Sequence, residues 1–436
     1  MKFSMDSSTR ITPGRSTGGS PPSILRLSRR GDETISDIIS GVDLKITPLV
    51  RRMLDLNQIH PIIDTQNTVL SSRVTVITPT LGERAHRHPS ENDLEVVVVD
   101  DGSQPPVPNA TVRLVTNGGP GTARNAGLAV INTEFVAFVD ADVDVGPDAS
   151  WLRLLLPHFA DPNVAAVAPR IRSKNVNGII GRHESTRGAL DLGALPAAVA
   201  PGTRVSYVPS AALVCRTADI RAVGGFDEEL RTGEDVDLVW RLHANGKTIR
   251  YDPSVIVHHE PRTSFEDWWK QRVGYGRSSA ELARRHGSDH ISPLVSSPWS
   301  IAAVLALLAN RRRALGVTGF IAVVCAAAQR LRRRVPDLTF RDATKIVVHG
   351  TQHTAVAGAR AVRRVWWPIL FLLSPFAPSA RQLLVLSFLA ARTPMAALDD
   401  VAHGVGIWSG SLKTKHFGPL IPRIRVGRPQ QRQPAS

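Results

Sequence analysis

The sequence predicts an α/β fold built on a mainly parallel sheet. Two observations lead there. Runs rich in β-branched residues occupy 74–80, 94–99, 112–115 and 135–139, and a helical segment beginning at Pro120 sits between the third and the fourth. Apolar runs of this kind, joined by crossovers, suit strands covered on both faces. In addition, Thr78, Asp100, Asp101, Asp140 and Asp142 all fall at or just beyond the carboxyl ends of those runs. Parallel sheets bind their ligands at that edge.

The chain of 436 residues has room for two or three domains. Its net charge of +15 is unevenly placed. Residues 1–270 hold 29 Lys+Arg against 32 Asp+Glu, whereas 271–436 hold 24 against 6. The arginines at 311–313 and between 330 and 334 flank apolar stretches and are not interleaved with stacking aromatics. That pattern disfavours nucleic acid and suits peripheral contact with an anionic membrane. Cys215 and Cys325 stand alone, with neither metal spacing nor a disulfide framework. A reducing cytosol is expected, at the inner face of the cell membrane.

Taken in order, residues 1–22 are rich in Ser, Gly and Pro, lack an apolar signal core and are expected to be a disordered tail. Residues 23–70 read as a small winged-helix-like module, with strand at 23–28, helical spacing at 35–39 and 49–56 and strand at 60–63, or equally as an N-terminal extension packed on the main domain. The main domain is expected over 71–290. Only residues 81–93 separate its first two strands, and Arg84-Ala85-His86-Arg87-His88-Pro89 makes a poor crossover helix. Further strands are expected at 205–209, 211–215 and 254–259, with a turn at 224–228. A helix opens at Glu234-Asp235 and is ended by Asn245-Gly246. Residues 291–420 form a basic, mainly helical region, and 421–436 a flexible tail. Its apolar stretches at 299–309, 314–328, 366–377 and 383–391 all fall short of the ~18–20 residues of a spanning helix. Packed or interfacial helices are the expectation.

Asp140-Ala141-Asp142 follows the apolar run 135–139. Two carboxylates with one residue between them can face one crevice and hold a hard cation, Mn²⁺ or Mg²⁺, beside phosphates. The bland alternative is a pair of solvated acids in a turn. Asp100-Asp101 before the pair and Glu234-Asp235 after it favour a site, although acids in a first helical turn also gain from the helix dipole.

Six ordered blocks between about 74 and 262 resemble the inverting family 2 glycosyltransferases of GT-A fold. They are Val97-Val98-Val99-Asp100-Asp101-Gly102-Ser103, Gly121-Thr122-Ala123-Arg124-Asn125-Ala126-Gly127 and Val139-Asp140-Ala141-Asp142, then Val223-Gly224-Gly225-Phe226-Asp227, Gly233-Glu234-Asp235-Val236-Asp237 and Val257-His258-His259. The resemblance narrows to the glycosyltransferases of mycofactocin biosynthesis through three further stretches. These are residues 19–27, Arg182-His183-Glu184-Ser185 ahead of Leu190-Asp191-Leu192-Gly193, and residues 268–278 with the basic apolar tail behind them.

The resemblance implies a GT-A-like sheet with helices on both faces and a nucleotide-sugar donor. Pro79, Thr80 and Asp101 would then meet the nucleotide base, Asp140 the ribose, and Asp100 would belong to the nucleotide-sugar site. Asp142 would ligate the metal, with Asp140 and His258 as further ligands; a purely structural His258 stands at even odds with that. Arg124 and Asn125 would shape the donor site, while Arg272 and Arg277 would hold pyrophosphate or acceptor. Asp235, beside Glu234, matches the base. The implied reaction moves glucose from UDP-glucose, β-linked, onto a peptide-derived acceptor, building an oligosaccharide. The alternative acceptor is a cell-envelope polysaccharide or lipid. Two competing readings are a nucleotidyltransferase, which lacks its Gly-rich Lys/Arg signature here, and a non-catalytic sugar- or lipid-binding scaffold, which the intact acids disfavour.

Overall fold

The computed structural model describes residues 1–64, 73–82, 94–174, 176–309, 313–336 and 338–425. The chain forms two compact units, Met1–Phe265 and Glu266–Ser436. The expected boundary after residue 290 therefore lies 25 residues earlier, because the long helix after Phe265 belongs with the C-terminal unit.

The first unit opens with β1 (Lys2–Met5), β2 (Arg10–Thr12), β3 (Arg15–Gly18), β4 (Ser23–Arg26), α1 (Arg29–Ile39), α2 (Pro48–Asp55) and β5 (Ile59–Ile62). The expectation of a disordered 1–22 is overturned: β2, β3 and β4 form an antiparallel meander and β1 pairs with β5. The missing signal was polar. Ser16, fully buried, donates to Gln58 at 2.7 Å, a partner 42 residues away that local composition does not reveal. Ser28 and Thr47 cap α1 and α2, each hydroxyl accepting from a first-turn amide, and Pro48 begins α2. Phe3, Ile35, Met53, Leu54 and Ile59 close a small core of their own.

This module is nonetheless joined to the sheet that follows. Arg51 meets Asp161 at 2.8 Å and Arg204 meets Asp6 at 2.8 Å. Asn57 uses both ends of its side-chain amide on the backbone of Ala198, at 3.1 and 2.6 Å.

Next come β6 (Val74–Thr80), β7 (Glu95–Asp101), β8 (Val112–Leu114), α3 (Pro120–Val130), β9 (Phe135–Val139), β10 (Val143–Asp144) and α4 (Ser150–Leu155). The unit continues with β11 (Val164–Ser173), α5 (Ile179–Arg187), β12 (Ala197–Val199), β13 (Ala212–Arg216), α6 (Thr217–Ala222), α7 (Glu234–Ala244) and β14 (Thr248–His259). Among the described residues the sheet has nine strands, ordered β10-β14-β11-β13-β9-β6-β7-β8, with β12 on the side of β14. The predicted parallel pairing holds across β9, β6, β7 and β8 and between β11 and β14. In contrast, β10, β12 and β13 run antiparallel to their neighbours. The crossover expected at 81–93 lies largely outside the described residues.

The expected strand at 205–209 does not form. The Val205 carbonyl accepts from Ala200 N–H and the Ser206 carbonyl from the Trp240 indole, so neither is left for a ladder, and Pro209 has no N–H to give. Under the sheet, Trp151, Leu152 and Leu155 of α4 are almost wholly buried against β9, β11 and β14. Truncating Leu152 to Ala would cost about 2–5 kcal/mol.

The second unit holds α8 (Phe265–His286), β15 (Val295–Ser296), α9 (Pro298–Ala309), α10 (Arg313–Arg334) and α11 (Phe340–Ala361). After a π-helical turn at Val362–Trp366 it continues with α12 (Trp367–Leu373), α13 (Pro378–Leu389), α14 (Pro394–Thr414) and β16 (Arg423–Ile424). β16 pairs in parallel with β15, so the first residues of the expected flexible tail are ordered. Glycines let α8 and α14 touch backbone to backbone: a Cβ on Gly276 would sit 1.9 Å from the His403 carbonyl, and one on Gly406 2.1 Å from that of Val273. The helix containing 314–328 runs on to Arg334. Among the described residues it is the one helix long and apolar enough, by length and composition, to cross a membrane.

Candidate active site

The carboxyl edge of the parallel strands carries the site. The chain leaves β9 at Asp140, whose N–H donates to the Ala211 carbonyl and whose carbonyl accepts from Val143 N–H. This tight turn fixes Asp140-Ala141-Asp142 between β9 and β10. Because β10 pairs with the end of β14, Val143 lies opposite His259 and Asp144 opposite His258. The His259 imidazole consequently stands 3.3 Å from the Asp142 carboxylate. Neighbouring residues of a strand face opposite sides, and His258 is exposed on the other one. The structure therefore brings His259 to the acid pair, not the His258 that the sequence suggested. Two adjacent histidines give no sequence-level means of choosing a face.

Arg124 is the hub. It lies on α3, 3 % exposed, and donates to Asp140 at 2.6 Å and to Glu234 at 2.9 Å. Burial pulls its guanidinium down, but the Asp140 and Glu234 carboxylates outweigh this and hold it above its ordinary value. Glu234 opens α7 behind Gly233, whose φ of 85° lies in the left-handed region that glycine adopts without strain.

Three acids share that first turn, and their partners differ. Glu234 pairs with Arg124, and Asp237 pairs with Arg241 at 2.7 Å. Asp235 accepts only from the Val236 N–H at 2.8 Å and forms no ion pair among the described residues. Burial pushes its carboxyl up, the neighbouring Glu234 charge adds to this, and the pKa reaches about 7. Asp140, Glu234 and Asp235 thus set three carboxylates around the guanidinium of Arg124 among the described residues.

At the other end of the edge the acids are spent on backbone. Asp100, fully buried, accepts from Ser103 N–H at 2.9 Å and Val107 N–H at 3.1 Å. Burial raises its carboxyl, but these bonds and Arg113 outweigh that and keep it below the usual range. Asp101 accepts from the amides of Gly118 and Gly119 at 2.7 and 2.9 Å, and so holds the loop entering α3. Asn125 donates to the Phe226 carbonyl and accepts from the Phe226 amide, fixing the turn at Gly225. Pro79 and Thr80 end β6, and the Thr80 hydroxyl is buried with no partner among the described residues. Of the two remaining expected residues, Arg272 is buried on α8 against Asp399 at 3.0 Å, and Arg277 is exposed on the same helix. Both are described within the C-terminal unit.

Residues 135–398 match the model of glycosyl transferase family group 2. The chain belongs to that family. The matched span includes the Asp140 turn, α7 and the end of β14. A family 2 relative from Mycobacterium tuberculosis, the pre-mycofactocin glycosyltransferase, is 36% identical over 94% of this chain and 94% of its own. The poly-beta-1,6-N-acetyl-D-glucosamine synthase of Staphylococcus aureus is 25% identical over 44% of this chain and 48% of its own. Among solved structures, the mannosyltransferase PcManGT of Pyrobaculum calidifontis, in complex with GDP-Man and Mn²⁺, superposes with a TM-score of 0.42 at 16% identity, covering 81% of this chain and 90% of that one. Staphylococcus aureus TarS 1–349 with UDP gives 0.34 at 17% identity, covering 79% and 92%. The chain is an enzyme of this family, a glycosyltransferase, and its fold is α/β as the sequence predicted.

The donor set bears on a metal. Among the described residues no three His, Cys, Asp or Glu side chains converge on one point. Asp142 and His259 form a two-donor pair, with Asp140 beside them held by Arg124. Two protein ligands fit a hard cation that takes its other ligands from substrate phosphates and water.

Proposed function

We propose that this family 2 glycosyltransferase moves glucose from UDP-glucose onto a hydroxyl of a peptide-derived acceptor with inversion, and that Asp235 is the base. The observation that carries this is Asp235: alone among the first-turn acids of α7 it pairs with no cation among the described residues, and its pKa of about 7 leaves it able to take a proton at neutral pH. The 36% identity to the pre-mycofactocin glycosyltransferase supports the acceptor class.

The acceptor hydroxyl gives its proton to the Asp235 carboxylate as its oxygen attacks the anomeric carbon. The bond from that carbon to the diphosphate breaks, and its electron pair leaves with UDP. In-line attack turns an α-linked donor into a β-linked product. Asp142 and His259 would hold Mn²⁺ or Mg²⁺, which when bound neutralises charge on the departing diphosphate. Arg124 fixes Asp140 and Glu234 by ion pairs, which leaves Asp235 as the first-turn acid with no cation among the described residues. Asp101 orders the 118–119 loop and Thr80 lies at the end of β6, a placement that supports a role for both in donor binding. The basic C-terminal unit supports peripheral contact with an anionic membrane at the cytoplasmic face.

The decisive assay offers a panel of UDP- and GDP-sugars with Mn²⁺ and reads released nucleotide. UDP-glucose turnover that Asp235→Asn abolishes supports the reading, and preference for another donor overturns the sugar assignment. Mass spectrometry of extracts from cells lacking the protein separates a peptide-derived acceptor from a cell-envelope one.

A further inference from the structure

The C-terminal unit contains a charge arrangement that the transfer reaction does not use. Arg360, Arg363 and Arg364 fall at i, i+3 and i+4 across the end of α11 and the π-helical turn, so all three share one face. They converge on a single carboxylate, Asp400 of α14, which is 5 % exposed, at 3.3, 3.0 and 3.1 Å. Like charges at this spacing destabilise a helix; the adjacent Asp399 acts on Arg364 too but pairs with Arg272, so among the described residues four arginines gather around two carboxylates.

The geometry of the contacts is equally uneven. Each arginine reaches Asp400 through Nε. Arg363 spends an Nη on the Ser387 carbonyl. The Nη groups of Arg360 and Arg364 donate to no partner among the described residues. Those forks are the part of arginine that grips phosphate in a bidentate manner. The field of the cluster extends further: burial lowers His403, and Arg364, Arg360 and Arg272 lower it again, so it stays neutral among them.

A second observation, independent of charge, indicates where the phosphate comes from. Ser387, which holds Arg363, lies on α13, and α12 packs against α13 as a short hairpin. Its apolar side chains point outward: Phe376 is 85 %, Leu389 76 % and Leu372 71 % exposed, with Phe371 and Leu386 also uncovered. Arg381 within α13 and Arg392 just beyond it are exposed, and no acidic residue occurs between Asp342 and Asp399. With 7 and 12 residues, α12 and α13 are far short of the ~20 that span a bilayer. An apolar surface with arginines behind it matches the level at which acyl chains meet headgroups.

We propose that the α12–α13 hairpin enters the interface of an anionic bilayer and that Arg360 and Arg364, with Arg363 behind them, grip a phospholipid headgroup phosphate. This deepens the peripheral contact proposed above by assigning it to one element, and it leaves the glycosyl transfer itself untouched. The membrane reading carried by α10, the longest apolar helix, is the rival.

The test is flotation of the full-length protein with vesicles of phosphatidylglycerol and phosphatidylcholine against vesicles of phosphatidylcholine alone. Two double variants are compared, R360Q/R364Q and L372S/F376S, with melting temperature and sugar-nucleotide turnover as folding controls. The wild type should float with the anionic vesicles only. R360Q/R364Q should bind them roughly thirtyfold more weakly, the change for two basic residues lost from an anionic surface. L372S/F376S should lose flotation while keeping its melting temperature. If the wild type floats with neither vesicle, the peripheral contact and this proposal both fall. If it floats and both variants float equally well, contact lies elsewhere, as on α10, and only this proposal falls. If pyrophosphate stabilises the wild type but not R360Q/R364Q and no vesicle is bound, the cluster takes a soluble phosphate and the lipid assignment is overturned.

Discussion

The two units carry charge hubs of opposite sense. In the first, one buried arginine, Arg124, is shared by Asp140 and Glu234, and Asp235 beside them forms no ion pair among the described residues, so negative charge is left over. In the second, one buried aspartate, Asp400, is shared by Arg360, Arg363 and Arg364, so positive charge is left over. A hub that served only the fold would be balanced, since an uncompensated buried charge is costly. Each imbalance matches the partner proposed above: a divalent cation and the acceptor's proton in one unit, a phosphate in the other.

The largest effect expected is on chemistry. Asp235→Asn should lower kcat by about 10²–10⁴-fold with UDP affinity unchanged, read by turnover and by nucleotide titration; near-native turnover would remove Asp235 from the mechanism. The hubs come next. Arg124→Gln and Asp400→Asn should each cost about 3–5 kcal/mol in urea unfolding, since each leaves buried charges without a partner. The comparison predicts opposite rescues. Divalent cation should restore part of the stability of Arg124→Gln, and phosphate part of that of Asp400→Asn; rescue of both by the same ion would break it.

A smaller effect separates the histidines. His259→Ala should raise the Mn²⁺ concentration for half-maximal activity about 10–100-fold, while His258→Ala should leave it alone; the reverse result would restore the sequence assignment. The smallest effect is a pH dependence. The folded pKa of Asp235 lies above its ordinary 3.8, at about 7. Its contribution to stability is therefore complete below about pH 3.8 and lost as pH rises to about 7. Asp235→Asn should melt above wild type by a margin that grows from pH 4 to pH 8, while wild-type kcat/KM rises through pH 7.

Much of the first unit was legible because its strands are apolar and short. Val74–Thr80 and Phe135–Val139 occur with the bounds their composition indicates, and Asn245-Gly246 ends α7. The acids at the strand ends were legible too, but not their division of labour. Asp100 carries no outward face because Ser103 and Val107 consume it, a loop conformation that no spacing rule encodes. Nor did the spacing 234, 235, 237 show that only Asp235 is left without a cation, since Arg124 and Arg241 reach that turn through tertiary packing. The N-terminal strands were missed because polar contacts such as Ser16 to Gln58 hold them.

Asn57 has a further consequence. Its side-chain amide binds both backbone groups of Ala198, the middle residue of the short strand β12, and so imitates a neighbouring strand. Asn57 is fully buried, and its own φ of 54° lies in the left-handed region. Without residues 1–64 the sheet would present an open border, the template on which chains stack into aggregates. The N-terminal module therefore acts as a selvedge, the finished border that keeps woven cloth from fraying, and deleting it should yield inclusion bodies in place of a smaller enzyme.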